Sequence, residues 1–492
     1  MGSQPSKPVQ STSTPITMYD EKKAATLSFQ TKGDDTVGWA SVPVDSLAEW
    51  SSEFDSSPTL QLSRLILTNA DPVTSLTSRK ALIHDNKVFN LQLKGLGAKN
   101  EYPGPRVNQG SSGRCWLFAT CNVLRYNVME QLKIEDFELA QAYLFFYDKL
   151  EKANHYLENM IELADEPNDS RTVSFLNREP LGDGGQWDMA VNILEKYGCV
   201  PKTIYPESFS SMASGKLNNM ILSKLREFAI VLREQAKTQS VSSLRKTKSE
   251  MMTQIYTTLS ITLGAPPHPD EPFTWDYYDS ENKFHHWRGS PKEFYAQFCQ
   301  RKNMAPKDSF SLINDPRNKY EHLYTVERLG NVWGGRPVRY VNAPIEALED
   351  AVVAGIKANT PLFFGCDSGK TGDRVSGVWD TELYDTKLAY GWSLQANKTQ
   401  RLETGDSSMT HAMVITAVHL DESGRPLKYK IENSWSDQNG EKGWFMMTAS
   451  WFREYVYQVV IPRSVADKRW TAVYDAGNPT VLKPWDPMVS PI

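Results

Sequence analysis

Long apolar runs are missing from this 492-residue sequence. The most apolar stretches, such as residues 412–418, are strand-sized, far short of the ~18–20 residues that span a bilayer. Cysteine is scarce as well. Only Cys115, Cys121, Cys199, Cys299 and Cys366 are present, with no CxxC pair. So few scattered thiols exclude a disulfide framework and a zinc-ribbon site, and they fit a reducing compartment. A targeting leader is not legible either. The opening MGSQPSKPVQSTSTP has no apolar core and the first arginine is Arg64, so neither a signal peptide nor an Arg-rich mitochondrial presequence is expected. An excess of one charge is also lacking. The 54 Lys+Arg and 59 Asp+Glu leave a net charge of −5, which gives no reason to expect a general binder of nucleic acid or membrane. A cytoplasmic protein is the expectation.

What is present is ordinary in bulk: 40% hydrophobic and 23% charged residues, the balance of a globular enzyme. Length alone suggests about three domains, or one domain with a large insertion. Residues 1–19 are rich in Ser, Thr, Pro and Gln without periodicity and read as a disordered tail. Within it, Gly2 followed by Ser6 matches the N-myristoylation pattern. A polar tail also produces so short a pattern by chance, and one acyl chain binds membranes only marginally. Membrane contact is expected only if Gly2 is acylated.

Residues 45–100 read as short helices and an extended piece, with Asp45 capping a helix that carries Leu47, Trp50 and Phe54. Leu117, Cys121, Leu124, Val128 and Leu132 make one buried stripe of a long helix. A second buried helix is expected over about residues 138–150. Gly184-Gly185 reads as a tight turn before a helix bearing Met189, Ile193 and Tyr197, which Gly198 and Pro201 end. Residues 214–262 read as helical. Residues 265–340, mixed in aromatics, Pro and charge, read as loops with short helices. From about 360, short apolar runs at 362–365, 411–418, 427–433, 444–448 and 456–461 predict an antiparallel sheet.

One cysteine differs from the rest. Cys121 lies on the apolar stripe, and Cys199, Cys299 and Cys366 carry no local signal beyond that of a small buried residue. Cys115 follows the loop Gly110–Gly113 and opens the helix, where the macrodipole favours a thiolate. A thiolate nucleophile needs a proton partner. Of the eight histidines, the adjacent His285 and His286 sit in an aromatic loop and are poor metal candidates. His411 is placed differently. If residues 411–418 and 427–433 form a hairpin with its turn centred near 422, His411 faces Asn433 at the open end. The carboxamide would then fix the imidazole tautomer and leave the other ring nitrogen for the cysteine.

The stretches QGSSGRCW (109–116), HAMVITAV (411–418) and ENSWSDQNGEKGWF (432–445) resemble the papain superfamily of cysteine peptidases. Together with SRKALIHDNKVFN (78–90), QAYLFFYDKLE (141–151), DGGQWDMAVNILEKYG (183–198) and KPWDPM (483–488), they resemble its bleomycin hydrolase family from about residue 45 onward. The resemblance implies an α+β, papain-like fold of two lobes: a helical lobe with the Cys and an antiparallel β lobe with the His and Asn. Large helical insertions and a C-terminal arm complete it. It implies Cys115 as nucleophile, His411 as acid/base, Asn433 as its orienter and Gln109 as oxyanion donor. Trp435 would shield the His–Asn contact, Gly184 and Gly185 would line the substrate backbone, and the Ile492 carboxylate would receive the substrate's ammonium. The expected activity is that of an aminopeptidase, acting on peptides with a free N-terminus and on aminoacyl amides, without metal or organic cofactor. The family's usual ending in small residues is replaced here by Val489-Ser490-Pro491-Ile492.

The implied segments are 1–44 (tail), 45–165 (hook and helical lobe with Cys115), 166–345 (helical continuation and insertion), 346–475 (β lobe) and 476–492 (arm). A homohexamer with an internal channel is implied too, and weak binding of single-stranded nucleic acid. Between Lys216 and Glu250, eight basic residues outnumber three acidic ones. A solvated helix face accounts for such a run better than a nucleic-acid site. An oligomeric nucleic-acid-binding protein with secondary peptidase activity is the alternative reading.

Overall fold

The structure, a computed structural model, describes residues 42–95, 107–301 and 305–489. Gly2 and Ile492 therefore lie outside the described residues. By internal contacts the chain divides into a unit ending at Leu65 and a unit beginning at Ile66. The first contains helix Val44–Ser56 and most of helix Pro58–Leu67. Pro43 occupies the N-cap position of helix Val44–Ser56, and no side chain caps it. Asp45 sits inside the first turn instead of capping it, where its charge still complements the helix dipole.

In the second unit, helix Cys115–Leu132 is the central element. Burial extends well beyond the expected stripe to Trp116, Phe118 and Tyr126. The reason is its position: one side packs on strand His411–Leu420, the other on helices Gln141–Glu162 and Trp187–Tyr197. Helix Gln141–Glu162 runs past the expected end near 150. It is covered by the pair Gly215–Ala236 and Val241–Leu263. Leu217, Ile221, Leu225, Phe228 and Leu232 form the buried seam of the first of these, at helical spacing.

A twelve-stranded sheet backs the helices. Its central order is Val456–Pro462, Leu362–Cys366, His411–Leu420, Pro426–Glu432, Trp444–Thr448. All five match the apolar runs read from the sequence, and these neighbours are antiparallel. The whole sheet is mixed, however. Val378–Trp379 lies parallel to Trp444–Thr448, and two further parallel pairs occur toward the opposite edge.

Two expectations need correcting. Residues 265–340 are not mainly loop. Phe273–Tyr278 and Phe284–Gly289 form a hairpin, and Ser309–Ile313, His322–Val326 and Arg339–Asn342 join the main sheet. Ser309–Ile313 is buried at every position, but Ser309 and Ser311 break its apolar run, which left it without the signal of the other buried strands. The register of the His411 hairpin is also displaced. Its turn is centred on Ser423, one residue later than expected, and is closed by Asp421 N–H to Arg425 O. The observed pairs are Val414–Glu432 and Ile415–Ile431, and the ladder stops there. A bulge between Ile415 and Ala417 changes the register again, to Ala417–Lys430 and Val418–Tyr429, so the expected facing is kept only at the end near His411.

Candidate active site

The site forms where the start of helix Cys115–Leu132 meets the first residue of strand His411–Leu420. The loop before Cys115 is shaped by Gly110, whose φ is 62° and whose Cβ, if added, would lie 2.4 Å from Met212 O. Only glycine fits there. Isolated bridges join Asn108 to Trp435 and Ser111 to Ala213. Gln109 N–H donates to Ser434 O (2.9 Å), and Ser436 N–H donates to Val107 O (3.0 Å). The chain before Cys115 is thereby stitched to the chain after Asn433.

Cys115 is the first residue of its helix and is 2% exposed. Burial pushes its thiol up to about 12, opposed by backbone N–H groups of Ala412 and Trp116 directed at the sulphur. The helix terminus alone therefore does not hold a thiolate in this closed site, because desolvation outweighs it. Ala412 is the residue after His411, which places the thiol against the start of that strand.

His411 Nε2 lies 2.9 Å from Asn433 Oδ1. The same oxygen accepts Ser434 N–H at 2.8 Å, which settles the amide orientation. A carboxamide oxygen only accepts, so Nε2 carries the proton and Nδ1 is the free base in the neutral ring. Burial lowers His411 to about 4, with the Asn433 bond opposing. Trp435 stacks on the imidazole, centroids 4.8 Å apart, and is itself backed by Trp379 and Phe445.

Gln109 is buried against the same junction. Its Oε1 accepts from Ser434 Oγ (2.6 Å) and its Nε2 donates to Ser112 O (2.6 Å). One Nε2 hydrogen remains uncommitted by these bonds.

Gly184 and Gly185 do not make the expected turn; they run without helix or strand into helix Trp187–Tyr197. Their glycine character has another cause. A Cβ on Gly185 would lie 2.7 Å from the Trp116 ring, so the segment passes flat against the residue beside Cys115. Lys152 Nζ donates to Gly182 O and Gly184 O, and Trp116 Nε1 donates to Asp183 O (2.7 Å).

A cavity of about 490 Å³ opens beside this segment, lined among others by Gly184, Lys152, His155, Ser407 and Trp485. Pro484, Asp486 and Pro487 line it too. The C-terminal arm is tied down on the way: Thr480–Leu482 adds to strand His322–Val326, and Arg317 holds Asp486 at 2.9 Å. Met488 is fully buried.

Reasoning from sequence passed over two residues of this site. Ser434 orients the Gln109 amide, and its place directly after Asn433 was the available signal. Asp183 collects Gly113 N–H (3.0 Å), Asn218 Nδ2 (2.7 Å), Ser214 Oγ and the Lys149 ammonium. Those partners come from three separate stretches, so no local pattern announces it. Among the described residues, no group of three His, Cys, Asp or Glu could hold a metal ion.

The basic run of 216–250 is largely spent on internal partners. Arg245 and Lys248 pair with Glu158, Lys224 with Glu227 and Lys237 with Glu234. Arg226 and Arg233 donate to backbone carbonyls of residues 163–178. No helix among the described residues is long and apolar enough to cross a membrane.

The Cys115 thiol, the His411–Asn433 pair and Gln109 meet at one junction of helix and sheet, as expected of a papain-like cysteine peptidase. The sequence profile of the Peptidase C1-like family matches residues 41–489, and the chain belongs to that family. It is 40% identical to human bleomycin hydrolase, over 89% of this chain and 95% of that one. It is also 40% identical to "Cysteine proteinase 1, mitochondrial" of Saccharomyces cerevisiae (91% and 92% covered). Aminopeptidase C of Streptococcus thermophilus is 39% identical, with 86% and 93% covered. The crystal structure of PepW from Lactobacillus rhamnosis superposes with a TM-score of 0.86 at 38% identity, covering 92% of this chain and 99% of that one.

Proposed function

We propose that the protein is a cysteine aminopeptidase of the bleomycin hydrolase type, with Cys115 as nucleophile, His411 as acid/base, Asn433 as orienter and Gln109 as oxyanion donor. The observation that carries this reading is the His411 Nε2 bond to Asn433 Oδ1 at the point where the Cys115 thiol abuts Ala412. Buried separately, the thiol and the imidazole each resist charge. Transfer of the thiol proton to Nδ1 creates both charges side by side, so each offsets the other's desolvation. The thiolate then attacks the scissile carbonyl. The Gln109 amide and the Cys115 N–H hold the oxyanion. His411 returns its proton to the leaving amine, a thioester forms, and water activated by His411 releases the acid. Trp435 keeps bulk water off the Nε2–Oδ1 contact.

Substrates are peptides with a free N-terminus and aminoacyl amides. The arm residues 484–487 on the cavity wall beside Gly184 support an approach of the chain end, with the Ile492 carboxylate receiving the substrate ammonium. The two-lobed division at about residue 346, a homohexamer and a cytoplasmic setting belong to the same reading. The nucleic-acid alternative loses support, because six of the eight basic residues are engaged in ion pairs and carbonyl contacts within the chain.

The test compares an aminoacyl fluorogenic amide with its N-blocked form, using wild type, Cys115→Ala and a chain ending before Ile492. Wild type should cleave only the free amine and Cys115→Ala neither form. Truncation should raise KM for the free amine and admit the blocked substrate. Hydrolysis by Cys115→Ala would overturn the mechanism; equal cleavage of both forms by wild type would overturn the carboxylate anchor.

A further inference from the structure

The ladder that carries Asn433 into the site ends with a buried charge. Glu432, 1% exposed, is the last residue in register, opposite Val414, before the chain leaves the sheet at Asn433. Its Oε1 accepts from Arg125 Nη2 (2.6 Å) and its Oε2 accepts from Tyr126 OH (2.8 Å). Both donors belong to helix Cys115–Leu132. One end of this contact is therefore on the helix that begins with Cys115. The other is on the strand that delivers Asn433, and Asn433 holds His411.

As a stabilising device the contact is poor. Both side chains are almost wholly out of water, at 3% and 0% exposure, and a buried ion pair seldom outperforms apolar residues of the same volume. Arg125 Nε is buried without a partner, a further cost. What a buried pair does supply is register, since a displaced partner leaves an uncompensated charge. The helix otherwise meets this sheet through apolar packing, which tolerates sliding far better than a two-point, charge-assisted contact does.

We infer that Glu432, gripped by Arg125 and Tyr126, is a positioning residue that sets the separation of Cys115 from the His411–Asn433 pair. The inference rests on the cysteine-peptidase reading above. The clamp touches neither substrate nor reacting atoms; it acts through the backbone of Asn433 and the axis of the helix.

The decisive variant is Arg125→Met with Glu432→Leu, which replaces the pair by apolar groups. Thermal unfolding, turnover of a free-amine aminoacyl amide and the rate of Cys115 alkylation by iodoacetamide are read together. Turnover is expressed per active site titrated with an epoxysuccinyl inhibitor. The double variant is expected to melt no lower than wild type while kcat per titrated site falls about 10–100-fold and KM changes less than about threefold. Its alkylation rate at neutral pH should fall in parallel. A kcat per titrated site within twofold of wild type would overturn the inference. If the double variant does not fold, Tyr126→Phe decides. It removes one of the two bonds with the packing kept; a several-fold loss of kcat per site is expected, and no loss overturns the proposal. Should wild type fail to hydrolyse the amide, the aminopeptidase reading falls, while the alkylation rates still report on the clamp.

Discussion

Around Cys115 the chain is held by buried charge; around His411 it is held by aromatic rings and one neutral amide. On the first side, Arg114 pairs with Glu207, Lys149 with Asp183 and Lys152 with Asp148. These pairs fix the loop before the nucleophile and the Gly182–Gly185 wall. On the second, Trp435 covers the imidazole and is backed by Trp379 and Phe445, and Asn433 supplies its polar contact. The difference follows from what each side must do. The nucleophile loop exposes backbone N–H groups, so strong acceptors and donors must fix it. The imidazole must gain and lose a proton, so its direct contacts are neutral, with the Arg374 charge held on Trp435. Apart from the Glu432–Arg125 contact that joins the two sides, the helix side should therefore break when a charge is removed, and the sheet side when packing or pH is changed.

The largest effects should come from the two groups at the junction. Cys115→Ala or His411→Ala is expected to lower kcat/KM by about 10⁴–10⁶-fold, measured on a free-amine aminoacyl amide, with circular dichroism confirming the fold. Next comes the charged side. Lys149→Met leaves Asp183 buried without its ammonium and should cost about 3–5 kcal/mol, read from urea unfolding. The neutral side answers to acid. His411 titrates near 4 in the folded state against 6.5 for the free side chain. The unfolded chain takes the proton first, so this contribution to stability is complete above about pH 6.5 and is lost as pH falls toward 4. The loss is on the order of 3 kcal/mol. A His411→Asn variant should show a shallower fall of unfolding free energy over that interval. Gly185→Ala forces a methyl into the Trp116 ring and should cost about 1–3 kcal/mol. The smallest effect is expected from Trp435→Phe, which keeps a ring over His411 but a smaller one. About a threefold loss of kcat should accompany a modest rise in the His411 pKa, read from the pH–rate profile, as partial hydration weakens the burial that depresses it.

Much of this was legible in residue order, and the exceptions have physical causes. The five central strands stood out because their apolar runs are bounded by turn residues. The long helix from Cys115 stood out by its stripe, but its full burial did not, because neighbours on two sides are a tertiary fact. Ser309–Ile313 was missed because two buried serines interrupt its apolar run. The hairpin register was misjudged because the turn closed by Asp421 and Arg425 is centred one residue later and a bulge follows Ile415, yet at the open end the displacement is two residues and His411 still meets Asn433. Gly185 was read for its backbone freedom when its missing side chain is what matters. Asp183 and the Glu432 contact depend on partners far apart in sequence, which no local pattern reports.

The central claim is that one thiol of five is made reactive by His411. The most direct measurement is peptide mapping after substoichiometric iodoacetamide on the native protein, repeated with His411→Asn. The account predicts a single adduct, on Cys115, formed at neutral pH in wild type and slowed at least about a hundredfold in the variant. An adduct on Cys121, Cys199, Cys299 or Cys366, or an unchanged rate without the imidazole, would contradict it.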